Sequence, residues 1–207
     1  MPYTLADLRT RTRDILNESA EAFFLDAQID RWLGDAAWDM SGVTHCVEGL
    51  GTVTLVNGDN DYAIASDAIV VLHVQDQATG VGLRKMTPSM AGHTSSETSG
   101  ETGLGWYEFA RTLYIEPVPN ATAQGKQIEY FYARITQDVT VLPEYCQLLA
   151  VHYAVSMGKA KDRLYQEAAF FNSLYVNGLV FRRQDVFARE PHTRQDLEMA
   201  DEVVSGG

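Results

Sequence analysis

Positive charge is scarce in this chain: 16 Lys and Arg stand against 28 Asp and Glu, a formal net charge of −12. A protein that grips nucleic acid by its phosphates needs clustered Lys and Arg, so that class is excluded. Long apolar runs are missing too. None approaches the ~20 residues that cross a bilayer, and the opening MPYTLADLRTR lacks the apolar core of a secretory signal. The expectation is a soluble protein made in the cytoplasm, with no membrane contact. Cysteine is almost absent. Cys46 and Cys146 lie in apolar helical surroundings with no metal-ligand spacing about them, and buried free thiols are expected.

The groupings that carry chemistry are equally sparse. His45, His73, His93, His152 and His192 are scattered, with no pair at the i, i+4 spacing of a helical zinc site. His152 reads as a core or interface histidine. The run GETGLG lacks the Lys-Ser/Thr ending of a phosphate loop, and no Gly-x-Ser-x-Gly elbow occurs. Asp59, Asn60 and Asp61 resemble part of a calcium loop, but the glycine precedes them and the distal Glu is missing; they read as a polar hairpin turn. No catalytic residues, metal or cofactor are expected, and the chain is not read as an enzyme.

What is present is an ordinary globular composition, 45% hydrophobic and 21% charged over 207 residues, enough for one domain or one domain with a sizeable insertion. The organising stretch is 143–187, read as two long helices folded together. Cys146, Ala150, Tyr153, Met157 and Ala160 share one helical face, and Leu164, Ala168, Phe171, Leu174, Tyr175 and Gly178 repeat the spacing. Pro143 suits the first turn, and the break is placed at 158–163, with Asp162 capping the second helix.

At the other end, Thr4 and Asp7 match a capping box, and Leu5, Leu8, Thr12, Ile15 and Leu16 trace a first helix that ends at 17–21. Asp26 is read as the cap of a second, with Ile29, Trp32, Leu33, Ala36, Ala37 and Met40 on its apolar stripe. Arg9, Arg11 and Arg13 are read as a solvated basic face.

Between the helical pairs the apolar period falls to two. Residues 52–56, Asn57-Gly58 and 62–64 read as strand, turn and strand. The run 68–75 reads as a strand buried on both faces, with 81–86 pairing to it through the Thr79-Gly80 turn. Segments 106–109, 113–116 and 127–135 are further strands, the first two joined by a tight 110–112 connection, and Pro117 and Pro119 stop the pairing. Residues 87–105 are Ser, Thr and Gly with little to bury, and are expected to be a mobile loop. Residues 189–207 have few apolar side chains and are expected to form no core. Residues 39–144 hold thirteen acids against Arg84, Lys85, Arg111, Lys126 and Arg134, a net of −8.

The predicted fold class is therefore α+β: a helical bundle of about four helices with a small, mostly antiparallel β-domain inserted between the second and third, and an extended C-terminal arm. The predicted segments are a helix pair at 1–48, the β-domain at 49–141 with its loop at 87–105, a helical hairpin at 142–187 and a flexible arm at 188–207.

That order, together with particular residues, resembles the head-to-tail adaptor (connector) proteins of tailed bacteriophages. TLADLRTRTRDILN followed by FLDAQIDRWLGDAAWDM is similar to their opening, YAIASDAIVVLHV to their Tyr-x-Leu-Pro-x-Asp strand entry, LYIEPVP to their strand ending in Pro-x-Pro, and LPEYCQLLAVHYAVSMGKAKD to their third helix. Ile64-Ala65 stands where Leu-Pro is usual. The likeness spans about residues 4–185.

The resemblance implies a structural virion protein at the portal vertex between head and tail. It implies a homo-oligomeric ring of twelve copies docked on the portal protein, carrying the next tail component (a nozzle, stopper or tail tube protein), with DNA passing through unbound. An acidic β-domain is expected to give that channel a repelling wall. The arm is the expected portal-binding device, with Phe181, Val186 and Phe187 as anchors and Arg182, Arg183 and Arg189 pairing with portal acids. The competing reading is a partner- or carbohydrate-binding accessory module of a virion, with Trp106 and Tyr107 as stacking residues.

Overall fold

The computed structural model describes residues 2–18, 23–88 and 104–187. The chain divides into two compact units, one made of Met1–Cys46 with Gln137–Gly207 and the other of Val47–Thr136. The first is helical and the second is β.

In the helical unit, Thr4 Oγ1 accepts the Asp7 amide at 3.2 Å and the Asp7 carboxylate accepts the Thr4 amide at 3.0 Å. This reciprocal capping starts α1, Leu5–Leu16, which Asn17 closes in the left-handed conformation at φ 61°. The second helix, α2, spans Asp26–Thr44 and buries all six stripe residues named above. Its N-cap is Leu25, however, not Asp26. The Asp26 carboxylate instead accepts from Arg13 at 2.7 Å.

Pro143 is the N-cap of α3, Glu144–Lys161, and α4 follows as Tyr165–Phe187. The reversal lies at 162–164, at the far end of the expected 158–163. Arg163 turns the chain at φ 62°, and Asp162 closes α3 and does not cap α4. Gly158 is inside α3, where an added Cβ would sit 2.8 Å from Leu16 Cδ2, so its role is close approach to α1. The buried residues of α3 go beyond the expected face. Cys146 and Ala150 are joined by Gln147, Val151, Ala154 and Val155, while Met157 is exposed. The reason is that α3 packs against α1, α2 and α4 at once, so no single stripe describes it. Gln147 is the polar pin of this core: its Oε1 accepts the Tyr3 amide at 2.8 Å, and its Nε2 donates to the carbonyl of Thr140 at 3.1 Å.

Among the described residues the β unit holds seven strands: β1 Glu48–Thr54, β2 Asp61–Ala63, β3 Ala68–Asp76, β4 Arg84–Lys85, β5 Gly105–Phe109, β6 Thr112–Glu116 and β7 Gln127–Arg134. They form two sheets, ordered β1-β7-β3 and β2-β6-β5-β4, antiparallel throughout except for β4 with β5. The expected hairpin across Asn57-Gly58 does not form. The turn is there, with Gly58 at φ 88°, but β1 pairs with β7 and β2 with β6 in the other sheet.

Side-chain fit accounts for the pairing of β1 with β7. Gly49 and Gly51 lie opposite Tyr132 and Tyr130, and a Cβ at either glycine would come within 2.5 Å and 2.1 Å of the respective ring. Each ring thus lies over bare backbone on the neighbouring strand.

The strand β3 is an edge, not doubly buried: Ala68, Val71 and Val74 face the core, while His73 is exposed. Its amide at Val71 donates to Glu108 Oε2 of β5 at 2.7 Å, tying the two sheets together. Past the Thr79-Gly80 turn the chain pairs back to β3 over Val81 to Leu83, with Gly82 opposite Gln75 and the Leu83 amide donating to the Val74 carbonyl at 2.8 Å. Ala110 and Arg111, both at positive φ, make the tight connection between β5 and β6. One core serves both sheets, with Val71, Val74, Ile128 and Tyr130 from the first and Trp106, Leu113 and Ile115 from the second. Residues 89–103, most of the predicted mobile loop, and the predicted arm at 188–207 lie outside the described residues.

Candidate functional site

The helical unit has two unlike surfaces, and the difference begins with charge. On the α1–α2 side, Arg13 is nearly buried and donates to Glu18 at 3.0 Å, to Asp26 at 2.7 Å and to the Phe24 carbonyl at 2.9 Å. Arg9 grips both carboxylate oxygens of Asp30 at 2.5 Å. Glu18 in turn accepts the amides of Phe23 and Phe24. The arginines read as a solvated face are therefore staples between α1 and α2, and only Arg11, over the ring of Tyr3 at 4.3 Å, keeps an outer position.

The α4 side is built from other material. Residues 168–181, AAFFNSLYVNGLVF, contain no charged side chain. One face packs on α3: Ala168, Tyr175 and Leu179 are buried, and Gly178 lets α3 come so close that a Cβ there would lie 2.4 Å from Leu149 Cδ2. Tyr175 donates its hydroxyl to Asp39 Oδ2 at 2.6 Å, and burial pushes its pKa up. Leu164 and Leu174, expected on this face, are exposed.

The remaining faces of α4 over 168–181 are uncharged and open. Phe170 is 58% exposed, Val180 52% and Phe181 69%. At 100° per residue, Phe170, Leu174 and Phe181 fall in one strip and Ala169, Val176 and Val180 in a second, with Ser173 and Asn177 between them. A folded unit seldom leaves so much uncharged helix surface in water unless another surface covers it.

The predicted portal-binding residues sit at the end of this helix. Phe181 continues the first strip. Arg182 lies over the Tyr145 ring at 4.0 Å, so its guanidinium has a partner inside the unit. Arg183, Val186 and Phe187 belong to the last turns of α4, and Arg189 is outside the described residues.

The groups singled out for other chemistry are structural. Trp106 is 1% exposed and its indole N–H donates to the Leu83 carbonyl at 3.2 Å, which removes it as a ligand-stacking residue. Tyr107 stacks on Tyr114 at 4.8 Å. His152 lies against Phe171 at 6.1 Å, its Nδ1 buried without a hydrogen-bond partner, and burial lowers its pKa below the ordinary value. Among the described residues no cluster of His, Cys, Asp and Glu could hold a metal, and no helix is long and apolar enough to cross a membrane. The charge also redistributes at the observed boundary. Asp39, Asp138 and Glu144 belong to the helical unit, leaving the β unit with a net charge of −5 and the helical unit with −7.

No curated protein sequence matches the chain. The protein-family model described as SU10 adaptor protein matches residues 3–195, from the capping box through α4 and beyond it. The chain belongs to the SU10 adaptor protein family and is a structural adaptor of a tailed bacteriophage, the kind of protein that joins head to tail.

Proposed function

We propose that copies of this chain assemble into a ring, twelve in number, that docks on the portal protein and carries the next tail component, leaving a channel through which DNA moves. The observation that carries this reading is the uncharged, open surface of α4, which ends at the predicted portal-binding residues. In the ring, the Val176 and Val180 strip and the Phe170 and Leu174 part of the other strip are covered by neighbouring copies. The segment from Phe181 through Arg189 and onward reaches the portal. Arg183 and Arg189 pair with portal acids, and Phe181, Val186 and Phe187 serve as anchors. A segment that orders on binding can cover a large partner surface.

The net charge of −12 suits a channel that must let DNA slide, since each phosphate contact would hold the duplex back. The surplus is shared by both units, so charge alone assigns the wall of the channel to neither. A truncation after Gln184 tests the portal contact: the shortened chain should fold, losing only the last three residues of α4 from its helix content, yet fail to join portal-bearing capsids. Undiminished docking by the truncated chain would refute it.

A further inference from the structure

The only two cysteines of the chain, 100 residues apart in sequence, meet in the helical unit with their sulfurs 3.8 Å apart. Cys46 follows the end of α2 and is the last residue before the chain leaves for the β unit; Cys146 is in the first turn of α3. The geometry points to a redox-active dithiol: Cys46 and Cys146 exchange with small-molecule disulfides and close into an intrachain disulfide that ties the end of α2 to the start of α3.

Three features fit that chemistry. The sulfurs are already in van der Waals contact at 3.8 Å, and a disulfide requires them to close to about 2.05 Å. The two thiols are unlike. Cys46 is partly exposed, whereas Cys146 is fully buried. Their acidities also diverge: the Cys146 S–H donates to Cys46, and this bond, helped by Thr44 and opposed by burial, holds the Cys46 thiol below its ordinary value, while Cys146 is pushed up. A partly exposed thiol with thiolate character is the one that attacks. The first turn of α3 and the Arg182 guanidinium, held over Tyr145, both favour negative charge beside the pair.

The exchange runs in two steps. The Cys46 thiolate attacks one sulfur of the small disulfide, forming a mixed disulfide and expelling one small thiolate. Cys146 then gives up its proton and attacks the Cys46 sulfur, expelling the second. One protein S–S bond replaces one small-molecule S–S bond, and the two protein thiol protons end on the two released thiols.

The test uses the full-length chain and glutathione disulfide. Thiol titration should fall from two per chain to none, with the protein still unlinked to other copies and the Cys46 and Cys146 peptides joined in a non-reducing map. The midpoint of thermal unfolding should rise by about 5 °C or more, because the bond closes a long loop. The C146S variant should accumulate one glutathione on Cys46, and C46S should react at least tenfold more slowly, with no thermal shift. Two surviving thiols in the wild type, links between chains in place of the internal bond, or glutathione persisting on wild-type Cys46 would overturn the inference. Equal reactivity of C46S would overturn the assignment of Cys46 as the attacking sulfur. None of these readouts needs a ring or a portal, so a chain that closes the bond but never docks would count against the adaptor assembly alone.

Discussion

The α1–α2 seam and the outer faces of α4 solve opposite problems. At the seam Arg9, Arg13, Glu18, Asp26 and Asp30 are answered within the chain. Arg13 meets Glu18, Asp26 and a carbonyl, Arg9 meets Asp30, and Glu18 takes up two backbone amides. A partner would gain little from those charges, although Phe23, Leu25 and Trp38 on the same side are exposed. On α4 the helix keeps Phe170, Val176, Val180 and Phe181 in water with no charge among them. Burying a large apolar side chain is worth ~1.5–3 kcal/mol, so that surface gains most when another covers it. The contrast teaches that, within one unit, the ionic seam joins two helices of the chain while the uncharged helix keeps apolar side chains open.

The sharpest way to break the contrast is to remove the seam's central charge. Arg13→Ala would leave Glu18 nearly buried without its strongest partner, and the expected cost is about 3 kcal/mol. Urea or thermal unfolding should show it as a loss of roughly 6–12 °C. A change within a degree would mean the seam is decorative. On the α4 side, Gly178→Val places a branched side chain where even a Cβ meets Leu149 at 2.4 Å. Overpacking of this kind costs about 1–3 kcal/mol, and the same unfolding experiment measures it.

His152 makes a smaller, pH-dependent contribution. Burial lowers its pKa in the folded state, so the folded chain binds the proton less well than the unfolded one. The stability associated with neutral His152 is therefore complete above about pH 6.5 and is lost as pH falls towards the depressed value. His152→Leu should flatten the stability profile between pH 7 and pH 5, and an unaltered slope would contradict it. Smallest in stability but decisive for the contrast is the pair Phe170→Ser with Val180→Ser. Both side chains point to water, so unfolding should shift by no more than about 0.5 kcal/mol, while self-association measured by sedimentation should disappear. An unfolding loss as large as that of Arg13→Ala would mean α4 is internal core.

Local signals were legible in the sequence. The Thr4 and Asp7 capping box, the α2 stripe, the strands β5 to β7 and the adaptor family could all be read from residues near one another. What could not be read depends on residues far apart. The Asn57-Gly58 turn suggested a hairpin, but the partner of β1 lies more than seventy residues on, chosen by two tyrosine rings that need glycine opposite. Arg9 and Arg13 looked solvated because their acids, Asp26 and Asp30, lie one helix later. Gln147 gave no sign of being buried. On α4 the apolar spacing was visible, but which residues face α3 was not: helical period marks a stripe and says nothing of an apolar helix open on its other sides. The absence of charge from 168 to 181 was the available clue to that surface.

Native mass measurement of the full-length chain, alone and mixed with portal rings, tests the central claim most directly. The expected result is a closed oligomer, twelve copies, bound to the portal, and its loss when Phe170 and Val180 become serine. A chain that stays monomeric at all concentrations and leaves the portal's mass unchanged would contradict the account.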